Sequence, residues 1–219
     1  GAMTDPYIPL EKELEQTRRC LEVIEKYGFG IAILTKSDLI LRDIDILKRI
    51  HKKAKCVVQM TLTTYDEELC KILEPNVCST KRRFEVLMEM HKAGIPTVVW
   101  MTPILPFIND NEENISGILD YCKQAKVTGL LTFGIGMTLR HGNREYFFKK
   151  LDEHFPELKK EYMKKYSLSY ELRSPNHQKL TRIIKNFCKG NNIIYGVKEV
   201  FEFCAHFPEQ NDQISIFNI

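Results

Sequence analysis

The residues best suited to chemistry in this chain lie at the ends of apolar runs. Ile31 to Leu34 gives way to Thr35, Lys36 and Ser37, and Cys56 to Met60 gives way to Thr61, Thr63 and Thr64. Thr97 to Met101 is followed by Thr102, Pro103 and a loop reaching Asn109, and Leu130 to Phe133 by Gly134, Gly136 and Thr138. An ammonium at Lys36 can bind a carboxylate or phosphate; it can equally be a solvated lysine at a strand end. Hydroxyls at Thr61, Thr63 and Thr64 suit the diol of a ribose, although threonine is also simply a good strand former. The segment Pro103-Ile104-Leu105-Pro106-Phe107 can press apolar backbone against a flat ring or merely turn the chain. No nucleophile sits with an obvious base, and no P-loop or complete Gly-x-Gly-x-x-Gly occurs. His51, His91, His141, His154, His177 and His206 show no metal-ligand spacing. The chemistry within reach is that of an adenosine-sized binding site.

Short apolar runs with a helix-like segment on each side read as buried strands of a parallel sheet. In such sheets and barrels ligands sit at the carboxyl ends of the strands, so four polar or glycine-rich ends point to one rim. The intervening helices are readable. Pro9 opens one with Leu10, Leu14, Leu21 and Ile24 on its apolar positions and Gly28 as its stop. Asp43 caps a second through about Lys53, Asp66 a short one to Leu73, and Ser79 or Thr80 a longer one ending at Gly94. A further helix covers about 111–125. This alternation predicts right-handed crossovers in an open or barrel-like sheet. Beyond Gly142 it stops, and helices are expected at about 144–154, 157–166, 176–189 and 197–206, with Ile193 to Tyr195 as a short strand. The expected organisation is an α/β portion over 1–142, a helical C-terminal extension over 143–208 and a tail over 209–219.

Composition narrows the class. With 219 residues there is enough chain for one well-buried α/β domain, and 43% hydrophobic with 28% charged residues is ordinary for a globular protein. A net charge of +3 excludes the strong electrostatic footprint of a tight nonspecific nucleic-acid binder, and the cluster Lys159, Lys160, Lys164 and Lys165 reads as a solvated helix face. Cys20, Cys56, Cys70, Cys78, Cys122, Cys188 and Cys204 are scattered, odd in number and without a Cys-x2-Cys pair, which points to reduced thiols and a cytoplasmic location. No apolar run approaches the roughly 20 residues that span a bilayer.

Several stretches, in order, carry a resemblance. Thr4-Asp5-Pro6-Tyr7 with Pro9 and Glu11, Leu34-Thr35-Lys36-Ser37, Leu41-Arg42-Asp43-Ile44-Asp45, Glu74-Pro75, Arg83, Ala93-Gly94-Ile95, the run from Pro103 to Asp110, and Thr138-Leu139-Arg140 together resemble radical SAM proteins related to spore photoproduct lyase, often described as DNA repair photolyases. Gly1-Ala2-Met3 also fits the pattern preceding Asp-Pro-Tyr. The resemblance implies the partial (β/α)6 barrel of radical SAM enzymes, of which this chain would supply the second to sixth strands, with a helical C-terminal extension.

It also implies roles. Asp5 and Tyr7, with Thr35 and Lys36, would lie around the methionine part of S-adenosylmethionine, Lys36 pairing with its carboxylate. Thr61 and Thr63 would reach the ribose, Ile104 and Leu105 would flank adenine, and the segment containing Gly136 and Met137 would complete that pocket. Arg140, Arg144 and Tyr146 are placed to meet a nucleic-acid phosphate or base, or to make structural contacts. Members of the family hold a 4Fe-4S cluster on Cys-x3-Cys-x2-Cys, and its three thiolates leave one iron open for S-adenosylmethionine, whose reductive cleavage gives the 5'-deoxyadenosyl radical. That motif is missing from these 219 residues. The reading is therefore a C-terminal portion of a radical SAM enzyme, inactive alone, with the cluster in the intact parent only and no metal site of its own. The competing reading is a non-catalytic binding or scaffold module with a vestigial pocket, and the sequence encoded directly upstream separates the two. A barrel portion with an open edge is expected to self-associate. Finally, Gln213-Ile214-Ser215-Ile216-Phe217 resembles the peptides that dock on the bacterial sliding clamp, with Gln213, Ile216 and Phe217 as anchors; a terminal strand on the chain's own sheet fits it too.

Overall fold

The computed structural model describes residues 4–207. Thr4 to Tyr7 forms turns rather than a strand end, and the helix expected from Pro9 is two: α1 (Glu11–Leu14) and α2 (Gln16–Lys26). The break is at Glu15, whose φ is +50°. Its cause is local hydrogen bonding that periodicity does not encode. The Glu11 carboxylate accepts from the backbone N–H of Thr17 at 2.9 Å, satisfying a free donor at the start of α2, while the Thr17 hydroxyl donates to the Pro6 carbonyl at 2.6 Å. Leu21 on α2 is buried, whereas Leu10 and Leu14 remain exposed.

β1 (Ile31–Thr35) leads through a 3-10 turn, Asp38–Asp43, into α3 (Ile44–Lys53). Ser37 caps that turn by accepting from Leu39 N–H. β2 (Cys56–Thr61), α4 (Glu67–Leu73), α5 (Thr80–Lys92), β3 (Thr97–Trp100), α6 (Glu112–Gln124) and β4 (Gly129–Leu131) follow. Asp66, Ser79 and Asn111 cap α4, α5 and α6 by accepting from Leu69, Arg82 and Asn114 N–H. Next come β5 (Gly136–Thr138), α7 (Asn143–His154), α8 (Leu158–Tyr166), β6 (Glu171–Arg173), α9 (His177–Gly190), β7 (Ile194–Tyr195) and α10 (Val197–Ala205).

The main sheet is fully parallel, in the order β1-β2-β3-β4-β7, an open partial barrel of five strands. The extension contributes its last strand, β7. One face packs Ile33, Val58, Met60, Val99 and Leu130 against the helices; the other packs Val57, Val98 and Leu131 against Val200 of α10. Lys55 holds the end of α10 by donating to the carbonyls of Phe203 and His206, a cation where the helix's free carbonyls gather.

β5 and β6 pair antiparallel in a second, small sheet, which the expected helical extension did not include. With α7 and α8 they enclose a separate core of Leu139, Leu151, Tyr162, Tyr166 and Leu172, joined by Phe107 and Phe147. The Tyr162 hydroxyl donates to the Pro106 carbonyl and that of Tyr166 to the Arg173 carbonyl, so both buried phenols are satisfied. The tail residues Gln213, Ile216 and Phe217 lie outside the described residues. No helix among the described residues is long and apolar enough to cross a membrane.

Candidate functional site

The carboxyl end of β1 is built on carboxylates. Asp5 accepts from Tyr7 N–H at 2.8 Å, from the Thr35 hydroxyl at 2.7 Å and from Lys36 N–H at 2.7 Å, so the turn at 4–7 is tied to the end of the strand. Asp5 and Thr35 thus bind each other. Tyr7 is buried and its hydroxyl donates to Asp43; burial first, then the Asp43 charge, pushes the phenol far above its ordinary pKa. Asp43, expected as a helix cap, makes no such bond. It accepts from Arg18 and Arg42 at 2.9 Å each, and these contacts outweigh its burial, leaving its pKa below the usual carboxylate range.

Lys36 pairs with Glu74, and the other oxygen of Glu74 accepts from Arg83 at 2.6 Å. Arg83 is fully buried and also donates to the carbonyls of Thr61 at 2.8 Å and Cys78 at 2.9 Å. Burial alone would raise the Glu74 pKa; Arg83 and Lys36 together bring it below its ordinary value. Arg83 therefore connects the ends of β1 and β2. It was legible as more than a resemblance residue: it sits three, four and seven positions before Val86, Leu87 and Met90 on the buried face of α5, where an arginine needs a partner.

Thr61, by strand alternation, shares the face of Gln59 and Trp100, whose side chains are hydrogen-bonded to each other. Asn109 Nδ2 donates to the Thr63 carbonyl and to the Thr64 hydroxyl, and its Oδ1 accepts from Leu105 N–H at 2.6 Å. Asn114 donates to the carbonyls of Thr63 and Asn109. These buried amides fasten the loop carrying Thr63 to the loop carrying Ile104 and Leu105. Ile104 is fully buried, its N–H donating to the Gly136 carbonyl, while Leu105 reaches open space.

That space is a cavity of about 1350 Å³ between the rim and the 139–173 segment. Thr102, Leu105, Phe133, Gly136 and Met137 line the rim side; Arg140, Tyr146, Phe147, Lys150, His154 and Tyr170 line the other. Gly136 is required by close approach, since a Cβ there would stand 2.4 Å from the Leu172 carbonyl oxygen. Arg140 and Thr138 beside the Tyr170 hydroxyl draw its pKa below that of an ordinary phenol. Arg144 does not line the cavity; it donates to the carbonyls of Leu168 and Ser169. Lys36, Thr61 and Thr63 are not among the residues that line the cavity. Phe133, Lys150, His154 and Tyr170 were not identified from sequence; nothing in local periodicity turns them toward a shared space.

The cysteines present are not suited to holding an iron-sulfur cluster. Cys56, Cys70, Cys122 and Cys188 are buried, and burial pushes the thiol of Cys56 up to about 12 and that of Cys188 to about 11, the opposite of a ligating thiolate. Among the described residues no group of three His, Cys, Asp or Glu is placed to hold a metal ion. The cavity exceeds the size of a common ligand pocket and mixes apolar walls with charged groups, among them Lys71, Arg140, Lys150, Glu171 and Arg173.

Residues 2–122 match the family described as the Radical SAM superfamily. The chain is 34% identical over 112 residues to an uncharacterized protein of Methanocaldococcus jannaschii, covering 51% of this chain and 42% of that one. It is 25% identical over 113 residues to the radical SAM Nalpha-GlyT isomerase of Pseudomonas phage M6, covering 52% of this chain and 23% of the isomerase. Among solved structures, Streptococcus suis SuiB bound to precursor peptide SuiA aligns with a TM-score of 0.48 at 11% identity, covering 81% of this chain and 34% of that one. The chain spans about half the length of the curated relatives it matches.

Proposed function

This chain belongs to the radical SAM superfamily, and we propose that it is the part of a radical SAM enzyme that positions S-adenosylmethionine against a nucleic-acid substrate, the cluster being held by chain outside these 219 residues. The observation that carries the reading is the cavity: Leu105, Gly136 and Met137, which the resemblance assigns to the adenine pocket, line its rim side, and cations and exposed rings line its far side. Bound there, S-adenosylmethionine would supply the 5'-deoxyadenosyl group once reduced. Lys36 would take the methionine carboxylate, Thr61 and Thr63 would face the ribose, and Leu105 with Gly136 and Met137 would border the adenine. Arg140 and Lys150 would meet phosphate, and Tyr146 and Tyr170 offer faces for bases. By itself the chain, whose cysteines do not form a cluster site, would bind but not cleave.

Trp100 makes the test direct. It is the sole tryptophan, and its ring centroid lies 5.5 Å from that of Phe133 on the cavity wall. Adding S-adenosylmethionine to the chain should change tryptophan emission saturably, and a fluorescent single-stranded oligonucleotide should gain anisotropy in a salt-dependent way. A flat emission titration defeats the cofactor reading, and absence of oligonucleotide binding at low salt defeats the substrate reading. The tail is proposed to dock on the bacterial sliding clamp through Gln213, Ile216 and Phe217; a peptide of residues 209–219 that fails to bind clamp in calorimetry refutes it.

A further inference from the structure

Lys36 is not waiting for a ligand with its charge open. Its ammonium is paired with Glu74, the side chain of Glu74 is only 11% exposed, and the second carboxylate oxygen is gripped by Arg83, whose side chain is 0% exposed. Arg83 in turn donates to the Thr61 and Cys78 carbonyls and to the Cys70 sulfur, so it has no freedom to follow Glu74 elsewhere. The backbone N–H of Lys36 is fixed by Asp5 and its carbonyl accepts from the Cys78 thiol, so the main chain at this point is held from both sides. What remains mobile is the Lys36 side chain, 34% exposed, at the end of four rotatable bonds.

We propose that Glu74 is the resting counter-ion of Lys36, a carboxylate held in place by Arg83 that occupies Lys36 until a ligand carboxylate competes for it, and that Glu74 thereby sets how strongly the rim prefers carboxylate-bearing ligands. This rests on the reading of Lys36 as the anchor for the methionine carboxylate. The charge arithmetic explains why the exchange works. Arg83, Glu74 and Lys36 carry a net +1, so the group attracts an anion, yet Lys36 is never left an unpaired cation. When Lys36 turns to a ligand, Glu74 keeps Arg83 and is not stranded. Glu74 is thus a positioning residue: it acts through Lys36 and touches no ligand.

The experiment compares two ligands on the intact chain by calorimetry, S-adenosylmethionine and its decarboxylated analogue, which share the adenosine and the sulfonium. The parent chain should prefer the carboxylate form, and Lys36→Met should erase that preference. Glu74→Gln keeps an acceptor for Arg83 but removes the competing charge; it should tighten S-adenosylmethionine about fivefold and change the analogue less than about twofold. Glu74→Asp guards against misfolding: its shortened carboxylate stays with Arg83 but falls short of Lys36, and it should move binding in the same direction. A purely structural Glu74 predicts instead that both variants weaken both ligands together, or leave both unchanged, and either result overturns the inference while leaving the reading of Lys36 intact. A parent chain that binds the two ligands equally, with Lys36→Met silent, overturns the reading and the inference with it.

Discussion

The network at the strand ends and the far wall of the cavity are built on opposite terms. At the rim, Asp5, Asp43 and Glu74 each accept from several donors, and their partners are buried or fixed by further bonds. Across the cavity the charges are solvated: Lys150 pairs with Glu153 one turn along α7, Arg173 with Glu171 two residues away, and Tyr146 is 63% exposed. The first arrangement fixes geometry before a ligand arrives, which suits an unchanging cofactor. The second offers adaptable contact, which suits a partner that varies along its length. Stability and function should therefore come apart between the two sides.

The largest effect belongs to Arg83. Replacing it with Met leaves the buried Glu74 carboxylate with Lys36 alone and frees the Thr61 and Cys78 carbonyls, at an expected cost of about 3 to 5 kcal/mol in urea unfolding. Lys150→Met, which removes one exposed pair, should change stability by less than about 0.5 kcal/mol. Similar losses for the two would erase the contrast.

Acid sharpens it. Asp43 has a folded-state pKa below its unfolded value, so the stability it adds is present above about pH 4 and is lost as pH falls through the folded value. Asp43→Asn should cost about 2 to 3 kcal/mol at pH 7 and progressively less in acid. Asp110, where the second core meets the sheet, behaves inversely. Burial raises its pKa despite the hydrogen bond from the Ser174 hydroxyl, so its charged form burdens the fold above that pKa and the burden lifts as pH falls below the unfolded value. Asp110→Asn should be neutral or stabilising at pH 7, within about 1 kcal/mol. Parallel pH profiles for these two variants would contradict the assignment.

Gly136→Ala probes the close approach of β5 to β6. The added Cβ meets the Leu172 carbonyl, so β5 and β6 must part, at a cost of about 1 to 3 kcal/mol. Thermal unfolding measures it; a change below about 0.5 kcal/mol would mean that the small sheet yields freely.

What could be read from sequence divides along the same line. Strands β1 to β4 were visible because each is a bounded apolar run, and the caps Asp66 and Ser79 because capping chemistry is local. The rim followed from the polar residues after each run. The second core was not visible: Phe107, Tyr162 and Leu172 are distant in the chain, and β5 and β6 have three residues each, too few to show a period. The pairing of Lys36 with Glu74 was likewise hidden, because a contact between loops leaves no spacing to read. Sequence thus located the strand ends and missed most of the wall across the cavity from them.

The smallest effect on the fold should fall on Tyr146, and it decides whether the exposed side is functional. Its ring is stacked on no other aromatic ring among the described contacts and lies 6.0 Å from Lys150 Nζ, an arrangement in which a nucleobase could cover the ring while the ammonium meets the neighbouring phosphate. Tyr146→Ala should leave the unfolding midpoint unchanged and weaken single-stranded oligonucleotide binding by about 1 kcal/mol, with Tyr146→Phe restoring it because stacking needs the ring and not the hydroxyl. Lys150→Met should instead lower the salt dependence of binding by roughly one phosphate contact. If Tyr146→Ala binds as the parent does, the ring is an ordinary exposed tyrosine and the substrate must be sought among ligands that Arg140 and Tyr170 can hold without it.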